Sequence, residues 1–313
     1  MKRFVLNCLK YSALLLLASV LFLGALLSVP NNYIRLSYFG VSTQRQIERA
    51  KTIDEPKIVF VGGSNCSCGL CSPMVSEHFN MPVCNTGVNY IFGLAAHVQL
   101  YKEFIKPGDV VVVMPEYQQF FGDLYLGNEE YLGLLSTIYP RGFKNLTFRQ
   151  QWHLLPSVPR AFEAALEMRN KHPIGDIYVP DALNEYGDVE RYDLRRHDQN
   201  HDWKPTEFGE SKLQKGAINV LSDFDDYCKA HHATLLVIPP GYKAVNFDAN
   251  REAIDLVWHA LKENGLPVFS SPERYKLADS LHFDSEYHLT YEGTLVRTSL
   301  LIEDMERALQ NRN

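Results

Sequence analysis

Two short stretches of the chain carry residue types suited to acyl-transfer chemistry. The first is Val61-Gly62-Gly63-Ser64-Asn65, closing an apolar run at 57–61 that is rich in β-branched and aromatic residues. A serine placed there exposes its hydroxyl at the carboxyl edge of an open α/β sheet, where ligands bind. Its own N–H, at the start of a helix, points into the same space, and a helix N-terminus favours negative charge. Those properties suit a nucleophile and one arm of an oxyanion hole. The two glycines permit a sharp turn and close approach of substrate. Gly-Ser turns after strands are common, so the stretch by itself also fits an ordinary turn.

The second stretch is Phe283-Asp284-Ser285-Glu286-Tyr287-His288-Leu289-Thr290-Tyr291-Glu292-Gly293. A serine hydroxyl is a poor nucleophile until a base takes its proton, and histidine is the usual base near neutral pH. A carboxylate on the other ring nitrogen fixes the tautomer and stabilises the imidazolium. His288 and Asp284 are close enough on one loop to form that pair. The plainer alternative makes Asp284 a helix cap and His288 a surface residue. A competing pair, Asp279 and His282, lies earlier on the loop but lacks the following Leu-Thr-x-x-Gly.

The elements that must position these residues follow from hydrophobic periodicity. Short apolar strands are predicted at 57–61, 82–85, 109–114, 234–238 and 267–269, the third containing four consecutive valines, as in strands buried on both faces. Helical spacing is predicted after Ser64 to about residue 79, and at 93–105, 211–231, 253–262 and 291–309. Strands alternating with helices imply an α/β fold with a mostly parallel sheet covered on both faces.

At the N-terminus, Lys2, Arg3 and Lys10 precede an uncharged apolar run over 11–30. About 20 apolar residues suffice to cross a bilayer, and the basic flank keeps the N-terminus cytoplasmic. The organisation expected is a transmembrane signal-anchor at 1–30, a polar connector at 31–56 and a catalytic domain at 57–313. A cleaved signal peptide is the alternative, with a shorter apolar core of about 7–15 residues. Either way the domain is exported, to the periplasmic or extracellular side. Residues 117–210 break the α/β rhythm, with a weak helical patch near 159–170. They read as one insertion, either a lid or substrate-binding subdomain, or a decoration without chemical role.

Composition excludes several function classes. A net charge of -6 over 313 residues, without Lys/Arg runs, gives no nucleic-acid footprint. The Gly-Gly-Ser-Asn turn lacks a Walker lysine and a G-x-G-x-x-G, so no nucleotide or other cofactor is expected. Of the six cysteines, Cys8 falls on the cytoplasmic side, while Cys66, Cys68, Cys71, Cys84 and Cys228 are exported. Export permits a disulfide, and a bridge from the Cys66–Cys71 cluster to Cys84 is expected. No partner at a zinc spacing follows the cluster, so no metal is expected.

Taken together, Gly-Gly-Ser-Asn after the first strand, Asn85-Thr86-Gly87 after the second and Asp284…His288-Leu289-Thr290-x-x-Gly293 before the last helix resemble the SGNH/GDSL hydrolase superfamily. The likeness is strongest to its exported, membrane-tethered branch, which includes teichoic-acid D-alanylation proteins and acetyltransferases of alginate and related exopolysaccharides. It covers about 57–309, apart from the insertion. It implies a three-layer sandwich, Ser64 as nucleophile, His288 and Asp284 as its partners, and the Gly87 N–H as an oxyanion donor.

The chain departs from the family pattern in the last block and in the third. The family's aspartate stands three residues before histidine, where this chain has Ser285. The family's G-x-N-D block is replaced by Met114-Pro115-Glu116-Tyr117, so its asparagine donor is missing. Asn89, Asn65 or an insertion residue would have to complete the oxyanion hole. Glu116 cannot donate while ionised, and would orient a substrate hydroxyl or make only structural bonds. The activity implied is that of an anchored serine esterase or O-acyltransferase acting on acylated glycans or small esters. The alternative is a non-catalytic partner that binds a polysaccharide or docks to a polytopic membrane acyltransferase.

Overall fold

Runs of β-branched residues too short for helices pair side by side, and amphipathic helices bury their apolar stripes against them. The computed structural model describes residues 2–173, 175–197, 204–205, 207–208 and 212–310. Three helices, α1 (Lys2–Leu27), α2 (Asn32–Leu36) and α3 (Tyr38–Thr52), precede β1 (Ile58–Gly62). Next come α4 (Ser64–Ser67), α5 (Ser72–Phe79), β2 (Val83–Asn85), α6 (Leu94–Tyr101) and β3 (Val110–Met114). The middle of the chain holds α7 (Glu129–Thr137), α8 (Phe148–Leu154) and α9 (Val158–Glu167). The last part runs α10 (Lys215–Ala230), β4 (Thr234–Val237), β5 (Tyr242–Lys243), α11 (Ala244–Ala249), α12 (Arg251–Glu263), β6 (Lys276–Leu277) and α13 (Tyr291–Gln310).

The fold is α/β, with a four-stranded parallel sheet in the order β2-β1-β3-β4. Phe60 lies between Asn85 and Val112, and Gly62 opposite Met114, so β1, β2 and β3 end at one rim. A small parallel pair, β5-β6, lies apart from this sheet. The strand predicted at 267–269 is reduced to one bridge between Val268 and Val237. Pro267 has no N–H to offer a ladder, and only its carbonyl takes part, accepting from Val237 at 2.9 Å.

Alternate strand residues divide between two apolar clusters, as the period of two requires. Val59, Val61, Val111, Val113, Leu235 and Val237 pack with α6, α10 and α12. Ile58, Phe60, Val110, Val112, Met114 and Leu236 pack with α5 and α13. Both faces are thus buried, which is why the valine run carries no polar alternation.

A third cluster joins α2 and α3 to α7, α8 and α9. Residues 31–56 are therefore more than a polar tether: Ile34, Tyr38, Ile47 and Ala50 are buried. Among the described residues, 117–210 contain three α-helices where the sequence shows only weak patches near 159–170. α7 and α8 have only nine and seven residues, too short for a periodicity that stands out. Part of that segment, including 198–203, lies outside the described residues, as does Ser211 at the start of the predicted helix.

α1 is long and apolar enough to cross a membrane, with a mean hydropathy of 2.5 over an 18-residue window. Leu23, Leu26 and Leu27 pack against the third cluster, and α1 has no buried residue. All six cysteines are free thiols, so the bridge expected between the Cys66–Cys71 cluster and Cys84 does not form. Although close in sequence, Cys66 and Cys68 enter different apolar clusters. Burial pushes the thiols of Cys66 and Cys68 up to about 12 and that of Cys84 up to about 11.

Candidate active site

β1 ends in Gly62 and Gly63, and Gly63 caps the single turn of α4 in extended conformation (φ -82°, ψ -160°). Ser64 opens that turn at the sheet rim, 6% exposed. Its backbone N–H has no protein acceptor among the described residues. The next residue is fixed from two sides. Asn65 donates from its backbone N–H to Glu116 Oε1 (3.2 Å) and from Nδ2 to the Met114 carbonyl (3.1 Å), which ties it to the end of β3. From α13, the buried Arg297 donates to the Asn65 carbonyl and to its Oδ1 (2.8 Å). A turn with so many fixed bonds presents Ser64 in one orientation.

The histidine loop is tied to the same turn. Leu289 N–H donates to the Cys68 carbonyl at 3.0 Å, just beyond α4. Arg195, buried and contributed by the segment at 117–210, donates to the carbonyls of Cys68 (2.5 Å), Val189 (2.6 Å) and Leu289, and to Thr294 Oγ1 (2.8 Å). Within the loop, Ser285 Oγ accepts from the N–H groups of Tyr287 (3.2 Å) and His288 (3.1 Å). Ser285 therefore folds the loop. One residue earlier, Asp284 reaches the ring instead.

His288 Nε2 lies 2.8 Å from Ser64 Oγ, and His288 Nδ1 lies 2.7 Å from Asp284 Oδ1. Ser64, His288 and Asp284 are thus brought into one line of contacts across a separation of 224 residues in sequence. With the proton on Nδ1, Nε2 is left as the acceptor for the serine hydroxyl. A fourth group joins them: the Tyr178 hydroxyl donates to Asp284 Oδ2 and lies 2.7 Å from His288 Nδ1. Burial, reinforced by the charge of Asp284, holds the Tyr178 phenol far above its usual range, so it remains a donor.

The competing pair does not meet Ser64. Asp279 Oδ1 accepts from the Val245 N–H (3.2 Å), and His282 Nδ1 faces the Ala278 carbonyl (3.2 Å). His282 is buried with no partner for Nε2, and burial depresses it to about 3, so it stays neutral.

The expected oxyanion donors fare unequally. Gly87 does not line the pocket beside Ser64, and its N–H donates to Asn85 Oδ1 at 3.1 Å. Its lack of a side chain matters more: a Cβ would come within 2.7 Å of Ser67 N and 2.9 Å of the Gly63 carbonyl, forcing the serine turn outward. Asn85 in turn donates to the Cys66 carbonyl (3.0 Å) and Asp188 (2.7 Å), a structural link rather than a pocket wall. Asn89 does line the pocket. Its Oδ1 accepts from the Ile91 N–H (3.2 Å), leaving the amide NH₂ without a protein acceptor among the described residues.

The pocket has a volume of about 540 Å³ and includes Ser64, Glu116, Tyr178 and His288 in its lining. Tyr33, Tyr38 and Phe39, from α2 and α3, form one of its walls. Glu116 follows the end of β3 and lines the pocket. Burial pushes its carboxyl up to about 7 against the lowering effect of the Asn65 bonds. Sequence reasoning missed Tyr178 and this aromatic wall. Both lie outside recognisable motifs, and Tyr178 is one of seventeen tyrosines with nothing local to mark it. No protein-family model matches the chain, and no curated protein matches its sequence.

Proposed function

We propose that the chain is an exported, membrane-anchored serine esterase or O-acyltransferase acting on acyl groups of a cell-envelope or extracellular glycan, built as a three-layer sandwich of the SGNH/GDSL kind. The observation that carries this reading is the contact of Ser64 Oγ with His288 Nε2, with Asp284 on the far nitrogen. Its position at the wall of an open pocket, on a turn fixed by Arg297 and Glu116, supports it further.

In this reading Ser64 Oγ attacks an ester carbonyl carbon while its proton passes to His288 Nε2, and the carbonyl electron pair moves onto oxygen. That oxyanion is held by the Ser64 N–H and the Asn89 amide. The carbonyl then re-forms, the bond to the alcohol breaks, and the alcohol leaves with the proton from Nε2. Ser64 now carries the acyl group as an ester. Water or a sugar hydroxyl repeats the sequence, giving its proton to His288 and restoring Ser64. Asp284, steadied by Tyr178, offsets the imidazolium charge at each stage. Tyrosine and phenylalanine rings on the pocket wall suit the apolar faces of sugars, and their place directly after α1 suits a substrate presented at the membrane face.

A second reading, a non-catalytic subunit that binds a polysaccharide or a polytopic acyltransferase, is favoured by one observation: Gly87 has its N–H taken and Glu116 replaces a donor. The discriminating experiment uses purified full-length protein, a small acetyl ester and an oligosaccharide acceptor. The enzyme reading expects hydrolysis or transfer that is abolished by Ser64→Ala and by His288→Ala. Folded protein inert toward such esters, with glycan binding unchanged in Ser64→Ala, would support the second reading.

A further inference from the structure

The capping box at the start of α8 fixes which face of that helix turns outward: Thr147 Oγ1 accepts from the Gln150 N–H (3.3 Å), and Gln150 Oε1 accepts from the Thr147 N–H (3.1 Å). Gln150 and Leu154 face inward and are buried, while Phe148, Trp152 and Leu155 are 74%, 62% and 40% exposed. Phe148 and Trp152 stand four residues apart on one face, their rings edge to face with centroids 6.0 Å apart. On α9, Leu166 is likewise exposed. Single exposed apolar residues need no explanation, but an adjoining aromatic pair with an exposed leucine one turn on, Leu155, does.

Its neighbourhood says what covers it. α9 packs directly on α1, and Leu23, Leu26 and Leu27 of α1 share a cluster with Leu154, Val158 and Ala161. Asn31 N–H donates to Thr137 Oγ1 (2.9 Å), and Asn32 Nδ2 to the Arg169 carbonyl (2.9 Å), which clamps the helical block to the residues that leave α1. A hydrocarbon core of about 30 Å accommodates the apolar run at 11–30, so these last turns of α1 stand at its edge. The charge agrees. Between Pro140 and Lys171 there are six Lys/Arg and two Glu in a chain of net charge -6, and among the described residues only Lys144 of the six is paired to an acidic group, Glu103.

We propose that the outer face of α8, with Leu155 at its end, is a membrane-surface ridge that rests among anionic lipid headgroups beside α1. Trp and Phe sit at the depth where aromatic side chains are favoured, and the flanking arginines reach the phosphates. The helical block is then a second, monotopic attachment, and it holds the wall formed by Tyr33, Tyr38 and Phe39 next to the bilayer. The proposal rests on the reading of α1 as a membrane span.

The test uses full-length protein in nanodiscs of zwitterionic and anionic lipid, with bromine placed either high on the acyl chains or at the bilayer midplane. Subtracting the emission of Trp152→Phe from that of the parent isolates Trp152 from Trp203 and Trp258. The expected result is loss of most Trp152 emission with the high bromines, and a smaller loss with the midplane ones. A separate variant, Val20→Trp, reports on α1 and is expected to be quenched by the midplane bromines. If Val20→Trp is quenched while Trp152 is untouched by either lipid, the ridge is not in lipid and the proposal fails while the anchor stands. Aqueous iodide then tells whether water or a protein surface, such as a second copy, covers Trp152. If neither tryptophan is quenched, the anchor reading fails and the ridge with it.

Discussion

Asp284→Asn removes the charge beside His288 while keeping shape and volume. The carboxylate oxygen lies 2.7 Å from Nδ1. Opposite unit charges at that separation attract by about 6 kcal/mol at an effective dielectric of ~20. The Asp284 side chain is 40% exposed, and solvent screening brings the figure to about 3 kcal/mol. Because the imidazolium forms only as Ser64 loses its proton, that energy belongs to the transition state, and its loss lowers kcat by about 10²-fold. The assay is steady-state hydrolysis of a small acetyl ester by full-length protein, with a thermal melt to show that the fold is kept. Asp279→Asn is the control. Asp279 accepts from the Val245 N–H and does not touch the ring, so kcat is expected to be unchanged. A large loss in Asp279→Asn, or wild-type turnover in Asp284→Asn, would refute the reasoning.

Three further perturbations follow from the same contacts. Tyr178→Phe deletes a bond to Asp284 Oδ2; at about 1.5 kcal/mol for a partly exposed charged acceptor, kcat falls about 10-fold with KM little changed, measured with the same ester. Glu116 has its carboxyl raised by burial from 4.5 to about 7, so its protonated form favours the folded state; that stability is fully present below about 4.5 and is lost as pH rises through about 7. Glu116→Gln should therefore flatten the fall of Tm across that window, a difference on the order of 3 kcal/mol, and equal slopes in both proteins would contradict it. Arg297→Met leaves the buried Asn65 carbonyl without its donor and Oδ1 with only the weak Cys66 thiol at 3.6 Å, which costs about 1–3 kcal/mol in chemical denaturation and lowers kcat by misplacing Ser64.

The sheet was legible because its strands are buried on both faces and so read as unbroken apolar runs bounded by Gly and Pro. Val110–Met114 needs no tertiary information to be seen. The strand at 267–269 was overread, since two apolar residues after a proline fit a bridge as well as a ladder. The contact between Ser64 and His288 was legible through motif order. The function of Ser285 was not: a side chain that accepts two loop N–H groups looks, in sequence, like any serine. Gly87 was assigned by likeness to a donor role, whereas Asn85 two residues earlier takes its N–H, a bond that exists only once β2 is placed beside β1. Tyr178 and the α2–α3 wall reach the site by long-range packing alone, which local periodicity does not encode. The free thiols are a similar case, since cluster membership and not spacing decides whether two cysteines can meet.

The central claim is that the Ser64 hydroxyl is made nucleophilic by His288. The most direct measurement is labelling of full-length protein with a fluorophosphonate, followed by mass mapping of the adduct. The account predicts one adduct, on Ser64, absent in Ser64→Ala and strongly slowed in His288→Ala. Label on another residue, or undiminished labelling of Ser64 without the imidazole, would contradict it.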